Sequence, residues 1–434
     1  MTSDITTPFY QYILDGGNGL TPKEDVLYGV RQDALARFRT LGLPDLKTEA
    51  WRYTNIQRVL KEQPFVLQQQ ALPVTAAQLA PAFIPELSCY RAVLVNGHLQ
   101  PELSELPAAK DITITKLSEA TQQKGFKTFF DKHPHLADQP FAALNTALFA
   151  DGLFIELKAN AVLDKPLHII HVYTLTQHAF LQPRHLWIAH PHASATVIES
   201  TLGLHNDAVA FVNSVNEVVL EENAELWHYN IQNAVQNSRH INQTAARQET
   251  YSRYHHYNFA LPQATMIRNN TSVALTGSYT ETDLHGLYLA NGNQHVDNHT
   301  FVDHLVPHCN SNELYKGVLL DTANSVFTGR IHVHQDAQKT NAFQQNNNLL
   351  LSEKATINSQ PQLEIYADDV KCSHGFTVGQ FSDESLFYLR TRGIGAEAAK
   401  HLLVNAFAFD ITDQVHIPAL QHYLTEEIRT VISN

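Results

Sequence analysis

The sequence predicts a mainly β protein with a solenoid core and helical regions at both ends, and three observations support this fold class. Short segments rich in Val, Ile, Leu and Thr follow one another between about 151 and 380. Alanines in the intervening turns recur roughly every 30 residues or multiples of that spacing. The flanking regions instead place apolar residues at helical spacing. We therefore divide the chain into residues 1–150, 151–380 and 381–434.

The N-terminal region is predicted to be mixed and mainly helical. Thr21–Glu24 combines a capping box with proline at the first helical position, so we expect a helix over about 22–41 that ends at Gly42. Arg91–Gly97 has the pattern of a strand that enters a turn. Two further helices are predicted, at Thr115–Phe130 and Phe141–Phe149.

The central region contains the repeated strands and turns. A turn period near 30 residues indicates stacked coils, each of which buries its apolar face against the next. A β-sandwich also has many short strands and remains an alternative. The first predicted strands are Gly152–Lys158, Pro166–Thr174, Arg184–Ala189, Ala195–Thr201 and Val215–Leu220, and the turn alanines are Ala161, Ala195, Ala224, Ala323 and Ala355.

Three amphipathic helices are predicted in the C-terminal region. Ser382 can cap the first, which ends near Gly393. Such short helices must bury their apolar stripes, either on the end of the β core or on a partner protein. The predicted stripe of the second helix is Ala399, Leu402, Leu403, Ala406 and Phe407, and that of the third is Leu420, Leu424, Ile428 and Val431.

Composition excludes several classes of protein. A net charge of −13 without a run of Lys or Arg argues against nucleic-acid binding. The 3 cysteines, at positions 89, 309 and 372, form no CxxC pair, so a structural zinc site or a disulfide framework is not predicted. No apolar run has the length of a membrane span, and the N-terminus lacks the pattern of a signal peptide. We expect a soluble cytoplasmic protein.

Cys372 and His374 form the most informative pair. In an extended strand, residues i and i+2 point to the same face, so a thiolate and an imidazole at these positions could both approach one soft metal ion. Core packing is the competing interpretation, because Val370, Phe376 and Val378 continue the same face as an apolar row. Spacing alone favours core packing.

Other motifs carry less information. A P-loop and a G-x-S-x-G elbow are both absent from the sequence. His332-Val-His334 resembles the first ligand pair of a cupin, but Gln338 stands where a glutamate ligand is needed. Asn346-Asn347-Asn348 is interpreted as a side-chain amide ladder at a turn of the solenoid.

Several motifs in order resemble one known family. Ala342–Ser352, Pro361–Gly375 and Phe387–Ile394 closely resemble the C-terminal half of the SufB/SufD family of iron–sulfur cluster assembly proteins. Glu49–Thr54 resembles an early motif of that family, and the resemblance is weakest over about 60–150. The Lys-Cys-Ser-His-Gly form at Lys371–Gly375 is most similar to the SufD type, because the Cys-Gly-Ala-His-Thr segment expected of the SufB type is absent.

The resemblance implies a right-handed parallel β-helix that acts as a non-catalytic scaffold. The expected partners are SufB and the SufC ATPase, and an iron–sulfur cluster or iron would be held transiently at the interface with SufB. By motif match His374 is the expected metal ligand, and Cys372 is a weaker candidate. The expected SufC-binding residues are Leu386, Phe387, Tyr388, Leu389, Arg392, Gly393 and Phe407.

Two alternatives remain open. A β-helix enzyme that acts on polysaccharide would need clustered aspartates with a basic partner; Asp283, Asp297 and Asp303 are available, but no basic partner is evident. A homodimer is also possible, because an elongated β-helix exposes sheet edges that favour pairing. The sequence does not separate a homodimer from a heterocomplex.

Overall fold

The computed structural model describes residues 8–16, 25–62, 65–68, 70–204, 208–233, 236, 238–380 and 383–433. Its helices are α1 (Pro8–Gly16), α2 (Tyr28–Leu41), α3 (Ile56–Glu62), α4 (Lys124–Phe129), α5 (Pro140–Leu148), α6 (Asp383–Thr391), α7 (Ala396–Thr412) and α8 (Pro418–Ser433). Short 3-10 helices lie at Glu49–Trp51, Ala76–Ala82, Pro101–Leu103, Leu117–Ala120 and Pro134–Leu136.

The strands begin in the N-terminal region and continue to the last coil of the core. They are β1 (Val66–Leu67), β2 (Tyr90–Val95), β3 (His98–Leu99), β4 (Ile112–Lys116), β5 (Leu153–Leu157), β6 (Leu167–Tyr173), β7 (Ala179–Leu181), β8 (Arg184–Ala189), β9 (Ser194–Gly203), β10 (Ala210–Leu220), β11 (Glu225–Gln232), β12 (Ser238–Gln248), β13 (Arg253–Ala260), β14 (Met266–Leu275), β15 (Glu281–Ala290), β16 (His295–His304), β17 (Asn310–Leu319), β18 (Asn324–Val333), β19 (Asn341–Leu350), β20 (Thr356–Ile365) and β21 (Lys371–Gly379).

Two sheets form the walls of a parallel solenoid. From β9 to β21, each strand pairs in parallel with the strand two places along the chain, so alternate strands build opposite walls. One wall is an 11-stranded sheet that ends at β20, and the other is a 10-stranded sheet that ends at β21. The mainly β class with a parallel β-helix core and helical ends is therefore confirmed, and the β-sandwich alternative is wrong.

The predicted strands and most predicted helices are present. Each of the five central strand predictions coincides with an observed strand, although β10 begins earlier, at Ala210. The helix predicted at Phe141–Phe149 is confirmed as α5, but Thr115 and Lys116 belong to β4, which pairs with β5. Helix α2 begins at Tyr28 rather than near 22, and the predicted caps at Thr21–Glu24 and Ser382 lie outside the described residues.

One set of turns between coils repeats a common arrangement. A residue with positive φ is followed by a small, buried side chain, as at Asn160–Ala161, His192–Ala193 and Asn223–Ala224. The backbone N–H of each first residue donates to a carbonyl of the next coil, which aligns successive turns. Ala195 was assigned to this column incorrectly: it already lies in β9, paired with Leu226, and Ala193 occupies the equivalent position.

Large side chains inside the solenoid lie against glycines of the neighbouring coil. Gly286 pairs with Tyr315 across β15 and β17, and a Cβ at position 286 would lie 2.2 Å from Cε1 of that ring. Gly317 in turn pairs with Tyr288, and a Cβ at position 317 would lie 2.2 Å from Cε2 of the Tyr288 ring. These glycines are needed for close packing rather than for turn geometry.

The Glu49–Thr54 motif fastens the N-terminal region to the 11-stranded sheet. The Trp51 ring lies 3.9 Å from the guanidinium carbon of Arg268, which also donates to the Ala50 carbonyl at 2.8 Å. Thr54 donates its hydroxyl to the Asp297 carboxylate at 2.5 Å. Arg268 and Asp297 form a buried ion pair between β14 and β16. The motif therefore docks onto a desolvated charge pair of the core.

Helices α7 and α8 pack on the 10-stranded sheet. Buried residues of α7, which include Val404, Ala408 and Ile411, join the same apolar cluster as Leu289 and Val318. The predicted stripe of α8 is confirmed, since Leu420, Leu424 and Ile428 are buried in this cluster and Val431 packs against it. The predicted stripe of α7 is wrong at two positions: Leu402 and Ala406 are exposed, because Val404 and Ala408 face the sheet instead.

Among the described helices, none is long and apolar enough to cross a membrane.

Candidate functional site

The Cys372–His374 pair lies at the open end of the solenoid. Strand β21 pairs with β19 on one side and ends its sheet. Cys372 lies opposite Ala342, and His374 lies opposite Gln344. Because Ala342 and Gln344 are buried in the interior, both site residues face the same way, along interior columns of a coil that no further described strand covers.

Cys372 is a free, half-buried thiol. Its side chain packs against the largest apolar cluster of the solenoid. Burial raises the pKa of the Cys372 thiol, although a hydrogen bond from the Ala342 backbone acts in the opposite direction. A raised pKa disfavours the thiolate that a metal ion requires. The environment of this residue is therefore that of a packed thiol which a bound metal ion would have to deprotonate.

His374 is exposed at the end of a polar column. Beneath it lie Gln344 and then Glu313, both buried. Burial raises the pKa of Glu313 to about 7, against hydrogen bonds from the Thr300 hydroxyl and the Gln344 side chain. The imidazole of His374 is thus available to a ligand or partner, with polar groups below it.

The apolar row expected around the pair does not form a closed core. Phe376 and Val378 are 54% and 46% exposed, although their ladder partners Asn346 and Asn348 are buried. Only Val370 and Cys372 of this row contact the apolar cluster. Core packing is therefore wrong for Phe376 and Val378: they point inward, but the coil that would cover them is missing from the described chain.

The predicted SufC-binding residues are divided between two environments. Phe387 and Tyr388 on α6 are 67% and 56% exposed, and the guanidinium of Arg392 lies 5.3 Å from the Tyr388 ring centre. Leu386 and Leu389 are half-buried, and Gly393 has a φ of 85° just after the helix. Phe407 is half-buried, and its side chain packs against the apolar cluster of this chain rather than facing solvent. Two residues of α7 that were not predicted to bind SufC, Leu402 and Phe409, are also exposed.

The aspartates considered for polysaccharide chemistry do not form one site. Asp283 lies on β15 in one wall and pairs with His255, whereas Asp297 and Asp303 lie on β16 in the other. Asp297 does have a basic partner, Arg268, which is not evident from the sequence, but the pair is buried. The exposed constellation that such an enzyme needs is therefore not formed by these residues.

The asparagine run is also placed differently from the prediction. Asn346 and Asn348 lie within β19, not at a turn, and both are buried. The Asn348 amide donates to Oδ1 of Asn346 at 2.7 Å, and Asn346 donates to the Tyr288 hydroxyl at 3.1 Å. These amides therefore form an interior hydrogen-bond network just below the open coil.

A histidine-rich chamber inside the solenoid was not foreseen. Glu199 accepts hydrogen bonds from His171 at 2.8 Å, from His228 at 2.7 Å and from Asn216 at 2.9 Å. Burial raises the pKa of Glu199, but the two histidines outweigh this effect and hold it well below its ordinary value. Burial lowers the pKa of His185 to about 3, so that ring is neutral. Alternation of the interior positions could have indicated this chamber, but only the coil register brings the residues together.

Comparison with known proteins identifies relatives over nearly the whole chain. Residues 172–407 match the family model described as SUF system FeS cluster assembly, SufBD core domain. Residues 20–169 match the model for the SufBD protein N-terminal region. The first match covers most of the solenoid, and the second covers the N-terminal region that attaches to it.

Individual relatives agree with these matches. The chain is 34% identical over 416 residues to an iron–sulfur cluster assembly SufBD family protein of Synechocystis, a match that covers 93% of this chain and 91% of the relative. It is 31% identical over 411 residues to the iron–sulfur cluster assembly protein SufD of Escherichia coli, covering 92% and 91%. It is 27% identical over 303 residues to SufD of Bacillus subtilis, covering 70% and 69%.

Proposed function

Because this chain belongs to the SufBD family of iron–sulfur cluster assembly proteins, we propose that it is a SufD-like, non-catalytic scaffold subunit of a cytoplasmic SufBCD complex. Its open solenoid end pairs with SufB, and its C-terminal helices bind the SufC ATPase. Iron or a nascent cluster is held transiently where the chain meets SufB.

One observation carries the proposal: the last coil presents inward-facing side chains without a cover. Phe376 and Val378 expose apolar surface there, next to the imidazole of His374. Burial of such a patch against a second subunit removes apolar surface from water. The same contact places His374 at a desolvated boundary between two chains.

The donors at this end suit a transient site. Imidazole can replace thiolate as a ligand of cluster iron. The chain supplies one exposed histidine and one half-buried thiol at this end, which is fewer than the four ligands of a stable cluster. A partner must complete the set, and separation of the two chains would then release the cluster.

His374→Ala tests the metal role. We expect the variant to assemble with SufB and SufC as the parent does, but to yield a complex with less iron and acid-labile sulfide. His422→Ala is the matched control, because His422 is exposed on α8, away from the open end. Equal iron and sulfide in the parent and His374→Ala complexes would refute this role of His374.

The exposed surface of α6 tests SufC binding. Replacement of Phe387 and Tyr388 by alanine removes two large exposed side chains and leaves the solenoid intact. We expect a loss of SufC affinity of at least about 10-fold, the scale of a central aromatic contact. Val162→Ala, which truncates another exposed apolar residue on the solenoid, should leave SufC binding unchanged. Unchanged SufC affinity in the α6 variant would contradict the proposal.

A second copy of the chain could cover the open end in place of SufB. Mass measurement of the purified chain, alone and with SufB, distinguishes the two assemblies. We expect a dimer alone that SufB converts to a heterocomplex, and Phe376→Asp should weaken both because it places a charge in the contact. A complex with SufB that tolerates Phe376→Asp would show that the open end is not the interface.

A further inference from the structure

A second group of metal-binding side chains lies on the outer face of the 11-stranded sheet. Asp303 on β16 and His332 on β18 are direct ladder partners, and His334 follows immediately after β18. Nδ1 of His332 lies 3.0 Å from Oδ1 of Asp303, and Nε2 of His334 lies 2.9 Å from the same oxygen. Three potential ligand atoms therefore converge on one point.

All three ligand atoms lie within 4.8 Å of one another, and the two nitrogen–oxygen separations of 2.9 and 3.0 Å are close to those of ligands on a single metal ion. Bonds of about 2.1 Å at tetrahedral or octahedral angles place neighbouring ligand atoms roughly 3.0–3.4 Å apart. Two imidazoles and one carboxylate form the donor set of non-haem iron sites with open positions, and zinc accepts the same donors. The two histidine side chains are 23% and 39% exposed, so water or another ligand can reach the remaining positions.

The carboxylate comes from the adjacent coil, not from the turn after the histidines. Gln338, which stands where a cupin has its glutamate ligand, donates to the Gln335 carbonyl at 2.9 Å and accepts from the Asp369 backbone at 2.9 Å. Both the nitrogen and the oxygen of the Gln338 amide therefore form hydrogen bonds within the turn. Parallel stacking of β16 on β18 supplies Asp303 instead, about one coil earlier in the chain.

Surrounding groups hold the carboxylate in place. Nε2 of His135 lies 3.1 Å from Oδ2 of Asp303, which leaves Oδ1 directed at the two histidines. Such outer contacts orient metal ligands and tune their basicity. The guanidinium carbon of Arg330 on β18 lies 4.1 Å from the centre of the Phe301 ring. Nη1 of Arg330 lies 3.9 Å from the Glu364 carboxylate, and this carboxylate offsets the positive charge of the arginine.

The buried chamber around Glu199 is a weaker metal site. Nδ1 of His185 accepts a hydrogen bond from the Leu153 backbone N–H at 3.0 Å, so Nε2 of the neutral ring carries the proton. A protonated nitrogen cannot coordinate a metal ion. Nδ1 of His332 and Nε2 of His334 also carry protons while they donate to Asp303. Among the described hydrogen bonds, however, no backbone donor fixes the tautomer of either ring, so the proton can move to the other nitrogen when a metal ion binds.

We propose that Asp303, His332 and His334 bind one divalent first-row transition-metal ion, of the Fe²⁺ or Zn²⁺ class, with open coordination positions. The site lies on a different wall from His374, and it does not rest on the proposed scaffold function. His135 is a positioning residue for the Asp303 carboxylate.

The test measures metal binding to the full-length chain alone. Chelator-treated protein is titrated with Co²⁺, whose d–d absorption reports ligand geometry, and dialysed separately against Zn²⁺ and, without oxygen, Fe²⁺. We expect one bound equivalent in the parent, with a Co²⁺ spectrum of low coordination number or distorted geometry. We expect affinity at least about 10-fold lower in His334→Gln, since even outer-shell substitutions cost that much.

Controls separate this site from others and from misfolding. His422→Gln, which changes an exposed histidine on α8, should retain the bound equivalent. His334 is partly exposed, so its replacement should leave the circular dichroism and melting temperature unchanged; Asp303→Asn tests the carboxylate if it also folds. The proposal is overturned if the parent binds no Co²⁺ at micromolar concentration, or if His334→Gln binds as tightly as the parent. The Zn²⁺ and Fe²⁺ arms then decide which ion the site prefers.

Discussion

Lys316 and Phe407 join the solenoid to the C-terminal helices. Nζ of Lys316 donates to the Phe407 carbonyl at 2.8 Å and lies 4.6 Å from the centre of its ring. The same ammonium group pairs with Asp410 of α7. Because Lys316 is buried within β17, these contacts satisfy a charge that would otherwise be desolvated without a partner.

Lys316→Met should therefore loosen α7 from the sheet. The variant loses the charged hydrogen bond to the Phe407 carbonyl and the ion pair with Asp410, which we expect to cost about 1–3 kcal/mol. Hydrogen exchange of residues in α7 should become faster, while that of β10–β14 stays unchanged. Lys400→Met is the matched control, because Lys400 on the same helix makes an exposed pair with Glu397. Equal protection of α7 in parent and Lys316→Met would contradict this account.

Gly286→Ala should destabilise the solenoid through overpacking. The added Cβ would overlap the ring of Tyr315 in the next coil, and neither neighbouring strand can move without breaking its ladder. We expect a loss of about 1–3 kcal/mol in the free energy of unfolding, measured by denaturant titration. At Gly375 on β21 the same substitution meets nothing within 4 Å and should be nearly neutral. A similar effect at both positions would show that interior complementarity is not the cause.

Arg268→Met should be one of the more damaging single substitutions. It leaves Asp297 as a buried carboxylate without its cation and removes the contact with Trp51, at an expected cost of about 3–5 kcal/mol. The double variant Arg268→Met/Asp297→Leu removes both charges and should recover part of this loss. Thermal unfolding of the parent and both variants gives the comparison. A double variant no more stable than Arg268→Met would show that the unpaired Asp297 carboxylate is not the main cause of the loss.

Glu313 should make stability depend on pH. Its pKa is raised by burial from 4.5 to about 7, so the folded state retains a proton that the unfolded state releases. Stability contributed by this group is present below about pH 4.5 and is lost as pH rises to about 7. Glu313→Gln keeps the acceptor for Thr300 and removes the titration.

The difference in unfolding free energy between Glu313→Gln and the parent is the measurement. Between pH 4.5 and 7 the variant should become more stable relative to the parent. Above pH 7 the difference in unfolding free energy should stay constant at about 3 kcal/mol. Thr300→Val provides a reference for the lost hydrogen bond alone. A difference that is independent of pH would mean that Glu313 titrates as it does in the unfolded chain.

The strands could be predicted because local pattern and burial agree in the solenoid. Segments such as residues 186–189 are apolar on both faces, and they lie in buried strands of the parallel sheets. The prediction of secondary structure and of buried faces was wrong where a helical pattern of residues makes other contacts in the folded chain. Thr115 and Lys116 continue a helical pattern, yet they pair antiparallel with Phe154 and Leu153. Leu402 and Ala406 fit a helical stripe, but the angle at which α7 meets the sheet buries Val404 and Ala408 instead.

The candidate site was identified only in part. The i, i+2 spacing correctly placed Cys372 and His374 on one face of a strand. Periodicity does not show that β21 is the final coil, so Phe376 and Val378 were interpreted as core although they are exposed. Whether an inward-facing residue is covered depends on whether another coil stacks on it, and that is not a local property of the strand.

The sequence by itself determined the repeating strands, the turn spacing, the helical ends and the family, because each depends on residues close together along the chain or on motifs in order. Only the tertiary structure decided which residues meet across coils: Asp303 with His332, Arg268 with Asp297, and Glu313 beneath Gln344 and His374. These partners are separated by a complete coil or more. Their contact depends on the register between parallel strands, in which a shift of one residue would turn each side chain to the opposite face.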